Sequence, residues 1–219
     1  HHIGHHDRAV HEGRWERCAD WCFWDYPLIE LEGKTMGIIG FGRIGQAEGR
    51  VARALGMRVL AHDLHPTDAG RELADYVDLD TLYARADVIS LHCPLTRETY
   101  HMIDLAAIEK MRDGVLLVNT SRGALIGTHD LISGIRMHKF SGVGLDVYEE
   151  EQENVFENRE DDILNTSVTA RLLSFPNVIV TSHQGFLTYE ALEAISRATL
   201  ENAKSFENGS PIAENVVTG

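Results

Sequence analysis

The sequence predicts a doubly wound α/β domain, a parallel sheet with helices on both faces, and three observations predict it. From Lys34 onward six short, almost wholly apolar runs recur along the chain. Stretches of helical period lie between them. No internal repeat and no low-complexity linker interrupts the series. Strands that are apolar on both sides need cover on both, and alternation with helices provides it in a parallel sheet.

The runs are Met36 to Ile39, Met57 to Ala61, Val88 to Leu91, Val115 to Val118, Val143 to Val147 and Val178 to Val180. The helical stretches are Ile44 to Leu55, Leu105 to Met111, Thr128 to His138 and Thr188 to Glu207. The acidic stretch from Tyr148 to Asp162 breaks the alternation and reads as a solvated loop. Before Lys34 the character changes. Trp15, Trp21, Phe23, Trp24 and Tyr26 crowd a segment with neither strand nor helix period, which predicts burial against the rest of the chain or a second copy. His1, His2, His5, His6 and His11 lack a Cys or carboxylate set at zinc spacing, so they read as imidazoles on a helix and no metal site is expected.

The chain has 219 residues, 43% of them hydrophobic, enough to bury a core. Twenty Lys and Arg stand against 34 Asp and Glu, a formal charge of -14, which argues against nucleic-acid or anionic-membrane binding and for a small ligand or a protein partner. No apolar run approaches the roughly 20 residues that span a bilayer, and the N-terminus has no signal-peptide pattern. Cys18, Cys22 and Cys93 are too few and scattered for a disulfide framework. A soluble, cytoplasmic protein is expected.

Directly after the first run stands Gly40-Phe41-Gly42-Arg43-Ile44-Gly45, followed at once by a helical pattern. Strand before and helix after turn a weak motif into a strong one: Gly40 permits the tight turn, Gly42 lets backbone approach a pyrophosphate, and Gly45 lets helix pack on strand. Asp63 ends the second strand, where a carboxylate bonds ribose hydroxyls and repels a 2′-phosphate, so NAD is expected over NADP. A nicotinamide cofactor supplies hydride, and the protein must supply an anion anchor and a proton donor near the strand ends. Arg122, Glu151 and His183 follow three later strands and could fill those needs.

The phosphate loop, His92-Cys93-Pro94-Leu95-Thr96, Asn119-Thr120-Ser121-Arg122-Gly123, Gly144-Leu145-Asp146-Val147-Tyr148-Glu149 and His183-Gln184 occur in this order. Together they resemble the D-isomer-specific 2-hydroxyacid dehydrogenases over essentially the whole chain. The resemblance implies a Rossmann-type NAD-binding domain. It implies Arg122 as binder of the substrate carboxylate, His183 as acid/base, and Glu151 as the carboxylate that orients His183 and raises its pKa, with Glu149 and Glu150 offering the same group one and two residues earlier. It places Arg43 and Ile44 on the pyrophosphate, Asp63 on the ribose, Cys93 and Pro94 along the adenosine, and Thr120 and Asp146 near the nicotinamide, with Thr99 and Ser121 completing the cofactor set.

Within the family the signals are mixed. Asp25-Tyr26-Pro27-Leu28 and Gly33-Lys34-Thr35-Met36-Gly37 look like the glycerate dehydrogenases, whereas His183-Gln184-Gly185-Phe186-Leu187-Thr188 and the acidic loop look like D-lactate dehydrogenases. The lactate-like features lie nearer the substrate, so pyruvate and D-lactate are expected. The resemblance also implies a departure: the family's substrate domain is missing, and Gly127 stands where an acidic residue often follows the Arg122 loop. The expected organisation is a dimerisation helix and aromatic arm over 1–32, the NAD-binding domain over 33–207 and a C-terminal return segment over 208–219. A homodimer is expected. Two other readings stay open, an NAD(H)-sensing interaction module of the corepressor kind and a fragment that binds cofactor without turnover.

Overall fold

The computed structural model describes residues 2–149 and 168–216. Its strands are β1 (Thr35–Ile39), β2 (Arg58–His62), β3 (Asp75–Tyr76), β4 (Val88–Leu91), β5 (Val115–Asn119), β6 (Phe140–Leu145) and β7 (Val178–Val180). Among the described residues they form one parallel sheet in the order β3-β2-β1-β4-β5-β6-β7. The helices are α1 (Ile3–His11), α2 (Arg43–Ala54), α3 (Asp68–Arg71), α4 (Leu79–Arg85), α5 (Leu105–Lys110), α6 (Thr128–Arg136), α7 (Val168–Leu173) and α8 (Tyr189–Glu207).

Apolar runs become strands here because both sheet faces are covered. Ile38 and Ile39, successive residues of β1, point into two separate core clusters. One gathers Met36, Ile38, Phe41, Ala52, Val59 and Val88; the other gathers Ile39, Leu82, Ile89, Leu91, Ile108 and Leu117. All four residues of β4 are buried.

The structure differs from the sequence expectation in the small elements. Two-residue β3 pairs only Leu60 with Asp75 and Ala61 with Tyr76, too short for any periodicity to register. Helices α3 and α4 start from Thr67 and Asp78, whose side chains accept the Gly70 and Thr81 N–H groups. β6 begins at Phe140 and ends at Leu145, so Asp146 and Val147 lie beyond the strand. Most of the acidic stretch lies outside the described residues.

This topology positions a site. From β1 the chain winds outward to β2 and β3, then returns to β4 on β1's other side and winds the opposite way. The crevice at the carboxyl ends of β1 and β4 is therefore the switch point where such sheets hold ligands.

Candidate active site

The turn from β1 into α2 is built for close backbone approach. Gly40 has φ +91°, and a Cβ there would lie 2.4 Å from Cys93 N, so no other residue fits. At Gly42 a Cβ would meet nothing within 4 Å: the loop faces open space. Helices α3, α4, α5 and α8 are each capped by the side chain that precedes them, Thr67, Asp78, Asp104 and Thr188. Helix α2 starts at Gly42 with no side-chain cap, and the N–H groups of Arg43, Ile44 and Gly45 have no acceptor among the described residues. Beside them the Ile44 side chain is 70% exposed. An uncapped helix start with open space before it fits a pyrophosphate.

Asp63 is tied to this loop. Its Oδ2 accepts the Phe41 N–H at 2.6 Å and its Oδ1 the His65 N–H at 2.8 Å. A carboxylate has about four acceptor sites, so two such bonds fix the group and leave capacity for ribose hydroxyls. Cys93 is buried, and burial pushes its thiol above the ordinary range, so it serves as an apolar wall. Thr99 Oγ1 donates to Pro94 O and accepts the Thr96 N–H, both at 2.7 Å, which shapes the loop after β4. Ser121 Oγ donates to Cys93 O at 2.7 Å and joins that loop to the one after β5. Thr120 is exposed beside it.

The Arg122 loop is organised by Asn119, which is fully buried. Asn119 Nδ2 donates to Arg122 O at 2.8 Å and Oδ1 accepts the Ser121 N–H at 3.0 Å. Arg122 itself is exposed, with Nη1 donating to Ser121 O at 2.7 Å. Asp146 organises the neighbouring corner. Its carboxylate accepts the Thr181 hydroxyl and the N–H groups of Gln184 and Gly185, at 3.0 and 2.9 Å, while its carbonyl accepts the His183 N–H at 2.8 Å. Burial alone would raise the Asp146 pKa; these hydrogen bonds outweigh it and hold the carboxyl below its usual range. His183 sits in this corner at φ +51°, a left-handed conformation that histidine tolerates better than most residues, with its ring exposed and edge-on to Phe186. Thus the structure brings Arg122, Asp146 and His183 to the edge that carries the phosphate loop. Glu151 lies outside the described residues.

Sequence reasoning missed two histidine–carboxylate pairs. The first joins His92, at the end of β4, to Glu48 of α2, with Ser90 Oγ 3.0 Å from the same imidazole nitrogen. The second takes Glu149 out of the solvated acidic stretch, the rest of which from residue 150 lies outside the described residues. Glu149 is half-buried, with Oε1 on His101 Nε2 and Oε2 accepting the Thr128 N–H and hydroxyl. Burial would raise its pKa, but the bonds from Thr128 and His101 outweigh it and lower it. At Gly127, a Cβ would lie 3.0 Å from Asp130 Oδ2, so a carboxylate from the first turn of α6 takes up that space.

The model of the D-isomer-specific 2-hydroxyacid dehydrogenase NAD-binding domain matches residues 1–185. The chain belongs to this family. Over 218 residues it is 45% identical to a hydroxypyruvate reductase of Blautia hydrogenotrophica, covering 99% of this chain and 63% of that protein. Over 188 residues it is 47% identical to a D-lactate dehydrogenase of Escherichia coli, covering 85% of this chain and 57% of that protein. The crystal structure of a D-lactate dehydrogenase from Treponema pallidum superposes with a TM-score of 0.86 at 34% identity, covering 99% of this chain and 65% of that one. The chain thus spans about three fifths of the length of these family members. NAD is the cofactor of this domain family, in agreement with the cradle at Gly42 and the carboxylate of Asp63.

Proposed function

We propose that this chain is the cofactor-binding part of an NAD-dependent dehydrogenase that interconverts a 2-oxo acid, pyruvate first of all, and its D-2-hydroxy acid. The observation that carries the reading is Asp146, which locks the His183 corner beside the Arg122 loop on the edge that holds the phosphate cradle. Bound NADH supplies the hydride. Arg122 pairs with the substrate carboxylate through its planar fork, and His183, oriented by Glu151, gives a proton to the carbonyl oxygen. With Glu149 engaged by Thr128 and His101, the carboxylate partner of His183 falls to Glu151 or its neighbour Glu150. Thr120, Ser121, Cys93, Pro94 and Thr99 line the cofactor's path, with Arg43, Ile44 and Asp63 on its phosphates and ribose.

The chain works as a cytoplasmic homodimer, with no nucleic-acid or membrane partner. No helix among the described residues is long and apolar enough to cross a membrane. The arm leaves Trp21 90% and Trp24 71% exposed, and Trp24 lines an apolar pocket with Val10, Phe23 and Leu28, which supports association through this face. Light scattering at micromolar concentration reads the dimer, and a monomer mass overturns it. Turnover is tested by NADH oxidation with pyruvate and with hydroxypyruvate. Reduction of pyruvate with the higher kcat/KM supports the lactate reading, the reverse order replaces it with the hydroxypyruvate one, and NADH binding without oxidation of either overturns turnover by this chain.

A further inference from the structure

The loop that carries Arg122 runs from β5 to α6, and groups from outside hold its far end. Helix α6 begins at Gly127, which offers no side-chain cap, and Glu149 supplies one from beyond β6. Its Oε2 accepts the Thr128 N–H at 3.1 Å and the Thr128 hydroxyl at 2.7 Å. Its Oε1 takes His101 Nε2, and His101 donates its backbone N–H to Ala124 O at 2.9 Å. His101 is held at φ +50° with its ring stacked on Tyr100 at 3.9 Å. Between these anchors the Tyr148–Glu149 peptide lies directly on Gly123: a Cβ there would come within 2.1 Å of the Tyr148 carbonyl carbon and oxygen and 2.6 Å of Glu149 N. Gly123, Ala124, His101, Glu149 and Tyr148 therefore close a ring of contacts beside Arg122. Among the described residues the Arg122 guanidinium donates only within its own loop, to Ser121 O, so the loop backbone sets its aim.

We infer that Glu149 is a positioning residue for substrate binding: by capping α6 and gripping His101 it holds the Arg122 loop in the register in which the guanidinium meets the carboxylate of a 2-oxo acid. The inference rests on Arg122 as the carboxylate binder. A misplaced fork loses one of two parallel bonds to a carboxylate, which weakens binding of the acid without touching the phosphate cradle.

The test uses this chain saturated with NADH and measures by calorimetry its affinity for oxamate, the unreactive amide analogue of pyruvate, together with KM and kcat for pyruvate. Glu149→Ala is expected to weaken oxamate about tenfold and raise KM by a similar factor, with kcat and NADH affinity changed less than about twofold. Thr128→Val falls between, and Glu149→Gln, whose amide oxygen still accepts from Thr128, recovers most of the loss. Arg122→Lys is the control for the underlying reading. Unchanged oxamate affinity in Glu149→Ala while Arg122→Lys weakens it overturns the inference alone. So does a fall in kcat with KM unmoved, or a parallel loss of NADH affinity. If Arg122→Lys has no effect, or the parent chain binds NADH but no oxamate, Arg122 is not the carboxylate binder and the inference falls with it.

Discussion

The sheet and the segments flanking it treat apolar residues in opposite ways. In β1 and β4 nearly every side chain is buried, and the two clusters they feed close over Ile38, Ile39, Leu91 and Leu117. Helix α8 is as regular as any element and has no buried residue; Leu200 and Phe206 stand in the open, Phe206 at 78% exposure. The aromatic arm shares that character, held mainly by polar contacts. Arg14 forms a two-pronged pair with Asp25, which draws that carboxyl well below its usual range, and His5 joins it, while Trp21 and Trp24 stay exposed. The middle of the sheet closes over its apolar residues and carries the cofactor cradle, while edge strand β7 leaves Ile179 exposed; the flanks present apolar surface of the kind that recognises another surface. Cofactor binding should therefore depend on the sheet edge, and association on the flanks.

Four substitutions test that division, beginning with the largest expected effect. His183→Ala on the sheet edge should lower turnover by about 10²–10⁴ with NADH affinity nearly unchanged, read by steady-state kinetics beside calorimetry. Gly40→Ala puts a Cβ into Cys93 backbone at a positive φ and should cost at least about 1–3 kcal/mol, a thermal midpoint lower by about 2–4 °C per kcal/mol, with loss of NADH binding. Gly209→Ala, beyond α8, shares a positive φ but meets nothing within 4 Å, so it should cost about 1 kcal/mol and leave NADH binding intact. Equal losses would erase the contrast between sheet and flank. Asp63→Ala should cut the preference for NADH over NADPH by about tenfold, about 1.4 kcal/mol.

The smallest effect is a pH dependence. Burial opposes ionisation of Glu48, but its bonds to His92 and Ser90 outweigh burial and lower its pKa. A carboxyl lowered in the folded state stabilises above its unfolded pKa, about 4.3, and loses that contribution as pH falls through the folded value. Glu48→Gln should therefore lower the thermal midpoint at pH 7 and flatten its decline below about pH 4.5. An unchanged slope in that window would remove the pair from the stability of the α2–β4 contact.

How much of this was legible in the sequence follows the same division. Buried strands announce themselves as apolar runs, and Gly40 to Gly45 carried its meaning because strand, glycines and helix are contiguous. The α8 start was readable from Thr188, which accepts the Ala191 N–H three residues on. What escaped depends on distance along the chain. Glu149 meets Thr128 from 21 residues away and His101 from 48, and Glu48 meets His92 from 44, so no local pattern joins them. One local sign was present: Gly127 precedes α6 without a capping side chain, and a helix start that lacks its own cap needs an acceptor from elsewhere. β3 was invisible for the plainer reason that two residues have no period.

The most direct test of the central claim, that the sheet edge alone holds the cofactor, is a calorimetric titration of NADH and NADPH into the chain carrying both Trp21→Ser and Trp24→Ser. The account predicts one NADH per chain, affinity within about twofold of the parent and a preference over NADPH of about tenfold or more, even where light scattering shows the variant monomeric. Loss of NADH binding in the arm variant, or equal affinity for the two cofactors, would contradict it.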